Sequence, residues 1–365
     1  MIRMSENKNK KVKIVLAVIA GLAVMVLVAF FWGKQWFASS YFNQGQTAFL
    51  KGDYDAAGQL FEKSLKFNAK NPEPHFYLGK IALGKTVSSG PLLYPNADYE
   101  SAVEHFEQSF SFGLVQKNKD AYLVSLNDAG FSYYMLKQYE KSIPLFLKYI
   151  ELNPTGAFTA RYFVATDYLN RSNKPEEALD ILLPAVDAVS VNSPINRRNL
   201  FRVYSLLGRL YSYFADAVNT EKYARLSIES GVAGNREPEI QVAHVLLSIV
   251  YGSRGDFSSA MAEIKAANEL AGSDRAYNCS LATAYFAGKN YFDAVEAAKA
   301  VKPSNSYGYS TCLQILGESY LAEGNKIEAK KYMEDYLTMT DKFKDKNIFV
   351  FRNREKFVDE LENLK

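Results

Sequence analysis

The chain has 365 residues, 48% of them hydrophobic and 14% aromatic, which is enough to bury a sizeable core and argues against a disordered chain. Its net charge of +3 divides into +5 over residues 1–34 and −2 over the rest, so the body has no general electrostatic reason to bind nucleic acid. Three His and two Cys occur with no CxxC and no Cys/His cluster, so no zinc site is indicated; Cys279 and Cys312 are expected as separate buried thiols rather than as a disulfide.

Residues 1–13 form a basic tail with Arg3, Lys8, Lys10, Lys11 and Lys13. Ile14–Trp32 (IVLAVIAGLAVMVLVAFFW) follows as 19 residues without a charge. At about 1.5 Å per residue a helix of that length matches a bilayer's hydrocarbon core. Phe30, Phe31, Trp32, Trp36 and Phe37 supply an interfacial aromatic belt on one side, and the lysines crowd the other. The positive-inside rule then predicts a cytoplasmic N-terminus, with everything after Lys34 on the far side of the membrane, periplasmic in a diderm bacterium. A cleaved signal peptide would need a shorter apolar run and a small-x-small site; Ala38 and Ser40 offer one, but Trp32, Lys34 and Trp36 crowd it. A buried core helix would carry a polar stripe, and none is present. An uncleaved anchor is the expectation. Ala17 and Gly21 are a small-xxx-small pair that lets two membrane helices approach, an opening for weak homo-oligomerisation.

Beyond the anchor the chain repeats itself. Leu313-x2-Leu316-Gly317-x2-Tyr320 leads to Ala329-x3-Met333; His244-x2-Leu247-Ser248-x2-Tyr251 leads to Ala260-x3-Ile264; Asn278-x2-Leu281-Ala282-x2-Tyr285 leads to Ala294-x3-Ala298. Tyr251, Tyr285 and Tyr320 stand 34 and 35 residues apart. Spacings of three and four put the large residues on one helical face, and the small residue beside them lets a second helix pack close. The same order, less complete in places, recurs upstream at Tyr204–Tyr211, Tyr162–Leu169, Leu126–Tyr133, His75–Ala82 and Tyr41–Ala48. Short turns such as Gly52-Asp53-Tyr54, Gly255-Asp256-Phe257 and Lys289-Asn290-Tyr291 separate the two helices of a unit. Each unit is a helical hairpin whose apolar face is covered only when its neighbour stacks on it.

These residues resemble the tetratricopeptide repeat. The expected fold class is therefore all-α: an N-terminal transmembrane helix followed by an α-solenoid of about eight helical hairpins over residues 38–340, and a C-terminal capping helix region over 341–365. Two insertions are expected, Lys85–Asn96 in the second repeat and an extended turn around Phe214–Lys222 in the fifth. Leu92, Leu93 and Tyr94 in the first either tuck against the neighbouring hairpin or form a lip that touches a partner. Arg352–Lys365 reads as the terminal helix, with Phe357, Val358 and Leu361 on one face.

No Walker loop, GxSxG elbow, HExxH or Rossmann glycine pattern occurs, and His75, His105 and His244 are scattered, so no enzyme and no cofactor are implied. The family resemblance implies a concave surface lined by first helices, one step beyond the packing positions. That places Asn127, Phe131 and Tyr134, then Asp167, Asn170 and Arg171, then Arg202, Ser205 and Arg209 on the partner-binding face. Arg198, Arg202, Ser205 and Arg209 share a helical face that can hold a carboxylate or phosphate, or be balanced by neighbouring acids. The expected function is a membrane-tethered scaffold for protein or peptide partners in envelope assembly, secretion or quality control; the alternative is an accessory or sensor that binds a small anion or glycan at the arginine-lined groove.

Overall fold

The computed structural model describes residues 30–84, 97–172, 174–187, 194–231, 238–271, 279–303, 307–341 and 348–364, with Leu16, Leu22 and Met25. Every regular element among them is a helix. The chain divides into an N-terminal unit, Met1–Leu145, and a C-terminal unit, Phe146–Lys365. Most of the run Ile14–Trp32 and all of the loop with Leu92, Leu93 and Tyr94 lie outside the described residues. Among the described residues no helix is long and apolar enough to cross a membrane.

The N-terminal unit opens with α1 (residues 30–50), which runs unbroken through Gly33. It continues with α2 (Tyr54–Phe67), α3 (Pro72–Ala82), α4 (Tyr99–Ser111), a single-turn α5 (Leu114–Lys117), α6 (Lys119–Met135) and the start of α7 (Tyr139–Leu152). The repeat pattern becomes packing here. Ala57 and Phe61 of α2 are fully buried, and the Phe61 ring lies where a Cβ on Gly45 would stand, 2.7 Å from its edge. Gly79 receives Phe106 of α4 in the same manner, at 2.8 Å. The glycine of the first helix is thus the socket for the aromatic of the second. Buried serines reinforce the seam: Ser64 donates to the Ala38 carbonyl and Ser142 to that of Gly130, both at 2.7 Å. The short α5 has no counterpart in the sequence reading. It follows Gly113 at φ +84° and stops where the Asn118 side chain caps α6.

The C-terminal unit pairs α8 (Phe158–Asn170) with α9 (Pro175–Asp187), α10 (Pro194–Tyr213) with α11 (Ala217–Ser230), and α12 (Pro238–Ser253) with α13 (Phe257–Ala271). It continues with α14 (Ser280–Ala287) and α15 (Tyr291–Lys299), then α16 (Tyr307–Ala322) and α17 (Lys326–Thr340), and ends in α18 (Ile348–Asn363). Ala178, Leu182, Ala224, Ala260, Ala294, Ala298, Ala329 and Met333, the small and large positions of the second helices, are all fully buried. The turns share one mechanism. A residue at positive φ reverses the chain, and the next residue's side chain accepts a backbone N–H of the new helix. Gly255 with Asp256, Lys289 with Asn290, and Gly324 with Asn325 are three cases. Ala215 with Asp216 is a fourth, which corrects the fifth-repeat expectation: α11 starts at Ala217, so the turn is tight and not extended over Phe214–Lys222.

Two further expectations change. Cys279 and Cys312 form a disulfide, with Cα atoms 5.2 Å apart and both residues buried between α14 and α16. The terminal helix starts at Ile348 rather than Arg352, and Val358 is exposed. Phe357 is fully buried with its ring edge on Tyr336, and Leu361 packs beside that core. Arg354 donates to Thr340 Oγ1, and Lys356 reaches Glu318 at 2.7 Å, so α18 seals the last hairpin as a cap should.

Candidate partner-binding surface

In the N-terminal unit the first helices α3 and α6 meet through a buried ion pair. Lys80 Nζ lies 3.0 Å from Asp128 Oδ2, with both side chains about 95% buried. Asn127 donates to the other carboxylate oxygen at 3.4 Å. Tyr134 is half-buried and meets Tyr139 edge to face at 5.1 Å. Phe131, predicted for the partner-binding face, is instead buried, with its ring against Tyr99. A residue one step past a packing position is exposed only where no neighbouring helix covers it, and here Tyr99 of α4 does.

In the C-terminal unit α8, α10 and α12 bring a polar network together. Arg202 Nε donates to Glu239 Oε1 at 3.2 Å, and the Tyr162 hydroxyl reaches the same oxygen at 3.5 Å. Ser205 Oγ donates to the Glu239 carbonyl at 3.1 Å. Arg209 Nη2 lies 3.5 Å from Asn170 Oδ1. Burial pushes the Tyr162 phenol above its ordinary value and the Glu239 carboxylate adds to this, while Arg202 and Arg209 oppose it. On α8, Asp167 accepts from Ser172 at 2.9 Å and pairs with Arg171 at 3.3 Å. Six predicted face residues therefore fall in this one region, but in unequal roles. Asp167 and Ser205 are buried, the first held by residues at the end of its own helix and the second bonded to α12, which corrects their assignment as partner contacts. Asn170, Arg171, Arg202 and Arg209 keep part of their surface in solvent. The Arg198 side chain lies outside the described set.

The arginine stripe is thus partly balanced by an acid. Arg202, with Glu239 about 18% exposed beside it, makes an internal pair rather than an open anion cradle. Sequence reasoning missed Tyr162 and Glu239. Tyr162 sits at a packing position and was read as core; Glu239, one residue into α12, fits no repeat signature and only the stacking of α10 on α12 brings it to Arg202. The histidines behave as packing residues: His244 Nδ1 meets Glu263 at 2.6 Å, and His75 Nδ1 meets His105 Nδ1 at 3.3 Å. A groove of about 540 Å³ lies elsewhere on this unit, lined by Met261, Ile264, Lys265, Asn268 and Glu269 of α13 with Leu281. It shares no residue with the network, and its lining mixes the apolar Met261, Ile264 and Leu281 with the polar Lys265, Asn268 and Glu269.

The tetratricopeptide-repeat family model matches residues 38–71, the stretch that holds α2 and most of α1. No curated protein matches the chain. Among solved structures, the chain is similar to pilF of Pseudomonas aeruginosa, at 17% identity and TM-score 0.43 over 65% of this chain and 93% of that one. It is also similar to a tetratricopeptide repeat protein from Parabacteroides merdae, at 13% identity and TM-score 0.47 over 72% and 93%. The apo quorum sensor NprR from B. thuringiensis shows 15% identity and TM-score 0.46 over 90% and 87%.

Proposed function

This chain is a tetratricopeptide-repeat protein, and on that premise we propose that it is a membrane-tethered adaptor that holds a protein or peptide segment against the first-helix face of its hairpins. Helical repeats of this kind are built for contact with other proteins, since stacking exposes a long row of side chains at little cost in order. The observation that carries the reading is the half-exposed set Asn170, Arg171, Arg202 and Arg209, held on α8 and α10 by packing and internal hydrogen bonds. Such a set offers directional donors from a rigid scaffold.

Two observations support the tether and its side. Leu16, Leu22, Met25, Phe30, Phe31 and Trp32 are all exposed, an apolar surface that water disfavours. The Cys279–Cys312 disulfide is of the kind that persists in oxidising compartments, in keeping with repeats placed outside the cytoplasm. A role in envelope assembly, secretion or quality control follows from that placement. The test is in-cell photo-crosslinking from Tyr134 and Asn170, with mass spectrometry of the products. A discrete partner captured from wild type and lost in Arg202→Ala/Arg209→Ala supports the adaptor. Unchanged capture in that variant refutes the face, and a small anion that raises the melting temperature of wild type only would favour a ligand sensor instead. A reporter that folds only outside the cytoplasm, fused after Lys365, checks orientation; an inactive fusion overturns it.

A further inference from the structure

The aromatic residues around the start of α1 do not end with that helix. Phe67, the last residue of α2, stacks on Phe37 with centroids 5.4 Å apart and rings 25° from parallel. It also stacks on Tyr41 at 5.8 Å and 19°. Trp36 meets Phe37 edge to face at 5.0 Å, and Lys34 sits over the Phe30 ring at 4.6 Å. This is a tertiary cluster: it needs α2 to return antiparallel to α1 and end at the same level. Ser64, one turn before Phe67, fixes that level by donating to the Ala38 carbonyl.

The cluster is nonetheless not core. Trp32 is 77% exposed, Trp36 66%, Phe37 43% and Phe67 37%. Rings that stack on one another yet stay open to solvent are a surface still lacking its cover. Lys63, Lys66 and Lys70 are exposed at this end of α2 and just past it, and Lys34 on α1, while of the acids next to them in sequence Glu73 is paired with Lys117 and Glu62 is exposed. The other end of α1 differs: Leu50 is exposed there, but the aromatic residue beside it, Phe49, is buried against Tyr54 and Tyr77. Trp, Tyr and Phe with flanking Lys is the chemistry of the boundary between hydrocarbon and headgroups, where amphipathic rings and snorkelling ammonium groups both find partners. The cluster also lies directly after the 19-residue charge-free run in sequence, which fixes the kind of surface it would meet.

We propose that the first hairpin itself docks on the membrane surface, with Phe67 and the Lys63, Lys66 and Lys70 side chains of the α2 end joining Trp32, Trp36 and Phe37 in one interfacial collar that contacts anionic lipid headgroups. This rests on the tether reading and goes further: the repeats are not on a free stalk, because two helices touch the lipid and set the tilt of the hairpin.

The test uses the full chain in vesicles of phosphatidylcholine and phosphatidylglycerol with brominated acyl chains. Tryptophan is moved by Trp32→Phe/Trp36→Phe with either Phe67→Trp or Leu50→Trp, and circular dichroism checks that helicity is kept. Leu50 stands 13 residues beyond Phe37, roughly 20 Å along α1. The expected result is roughly two-fold bromine quenching for Phe67→Trp and none for Leu50→Trp. Adding Lys63→Glu/Lys66→Glu should reduce the quenching of Phe67→Trp in anionic vesicles and leave it unchanged in phosphatidylcholine alone. A chain that fails to sediment with vesicles overturns the tether and this inference together. A chain that sediments while Phe67→Trp stays unquenched overturns this inference and leaves the tether standing. Emission that ignores bromine but changes with the protein-to-lipid ratio would assign the collar to a second copy of the chain, and also overturns it.

Discussion

Gly252→Ala gives the sharpest test of how the C-terminal unit is packed. Gly252 lies near the end of α12, and an ideal Cβ there would stand 2.7 Å from the carbonyl carbon of Ala284 and 2.8 Å from its Cα. Those are backbone atoms of α14, so no side chain can swing aside. The Ala284 carbonyl oxygen lies closer still, so restoring ordinary contacts means moving the whole helix by about 1 Å. Gly288 sits against the Gly252 carbonyl and the Phe257 ring, which closes the direction of escape. Overpacking of this kind costs about 1–3 kcal/mol. Replacing Gly by Ala within a helix returns about 1 kcal/mol. Rigid backbone puts the overpacking cost in the upper part of its range, about 2–3 kcal/mol, so the net is a loss of roughly 1–2 kcal/mol, or about 2–8 °C in the melting temperature of a unit this size. Gly317→Ala serves as the control. Its Cβ would meet Met333 Cγ at 3.0 Å, the flexible stem of a thioether, and backbone only at 3.5 Å. There the helical gain should prevail and the melting temperature should hold or rise. Thermal unfolding followed by circular dichroism reads both. Equal shifts, or a Gly252→Ala chain as stable as wild type, would refute the view that backbone contact between first helices sets the spacing of the hairpins.

Three further outcomes are expected. Ala215 carries φ +57° where Gly255 and Gly324 stand in their turns, so Ala215→Gly should stabilise by about 0.5–1 kcal/mol in chemical denaturation. His75 and His105 share one hydrogen bond between their Nδ1 atoms, and burial lowers both from their ordinary value of 6.5, against the opposing pull of Glu104, Glu62 and Asp98. The unfolded chain then binds more protons, so stability is complete above pH 6.5 and falls as pH drops through the lowered folded values; melting temperature against pH should show this, and His75→Phe/His105→Leu should flatten it. With 33 residues between its ends, the Cys279–Cys312 bridge should contribute roughly 3–4 kcal/mol, so reductant should lower the melting temperature of wild type and leave Cys279→Ala/Cys312→Ala unchanged.

Much of the fold was legible because a repeat states its packing several times over. Ala294 and Ala298, and Ala329 and Met333, were each identifiable from spacing alone, and each is fully buried. The inner face was less legible. The rule of one step past the packing position gives a direction, but exposure depends on the neighbouring hairpin. Asn170 and Arg209 are half-exposed under that rule, while Phe131, Asp167 and Ser205 are buried by the helices beside them. Glu239 illustrates the opposite failure: no local pattern marks it, yet it receives Arg202 and Tyr162 from two other helices. Side chains that bridge repeats carry no periodicity, so a single sequence cannot announce them.

The disulfide shows how a repeat period can be read as a distance. Cys279 and Cys312 were expected apart because no local cysteine motif joins them, but 33 residues is close to one period of this chain. Positions nearly a period apart sit on successive first helices, and successive first helices are in contact. Cys279 precedes α14 and Cys312 lies within α16, which brings their Cα atoms to 5.2 Å. The location also has a physical logic. A hairpin inside the stack borrows stability from two neighbours, whereas the last has one. The eighth hairpin, α16 with α17, is held from one side by this covalent link to α14 and from the other by Phe357 of α18 against Tyr336. A bridge on one face and a capping helix on the other thus give this hairpin the two partners that an interior hairpin has.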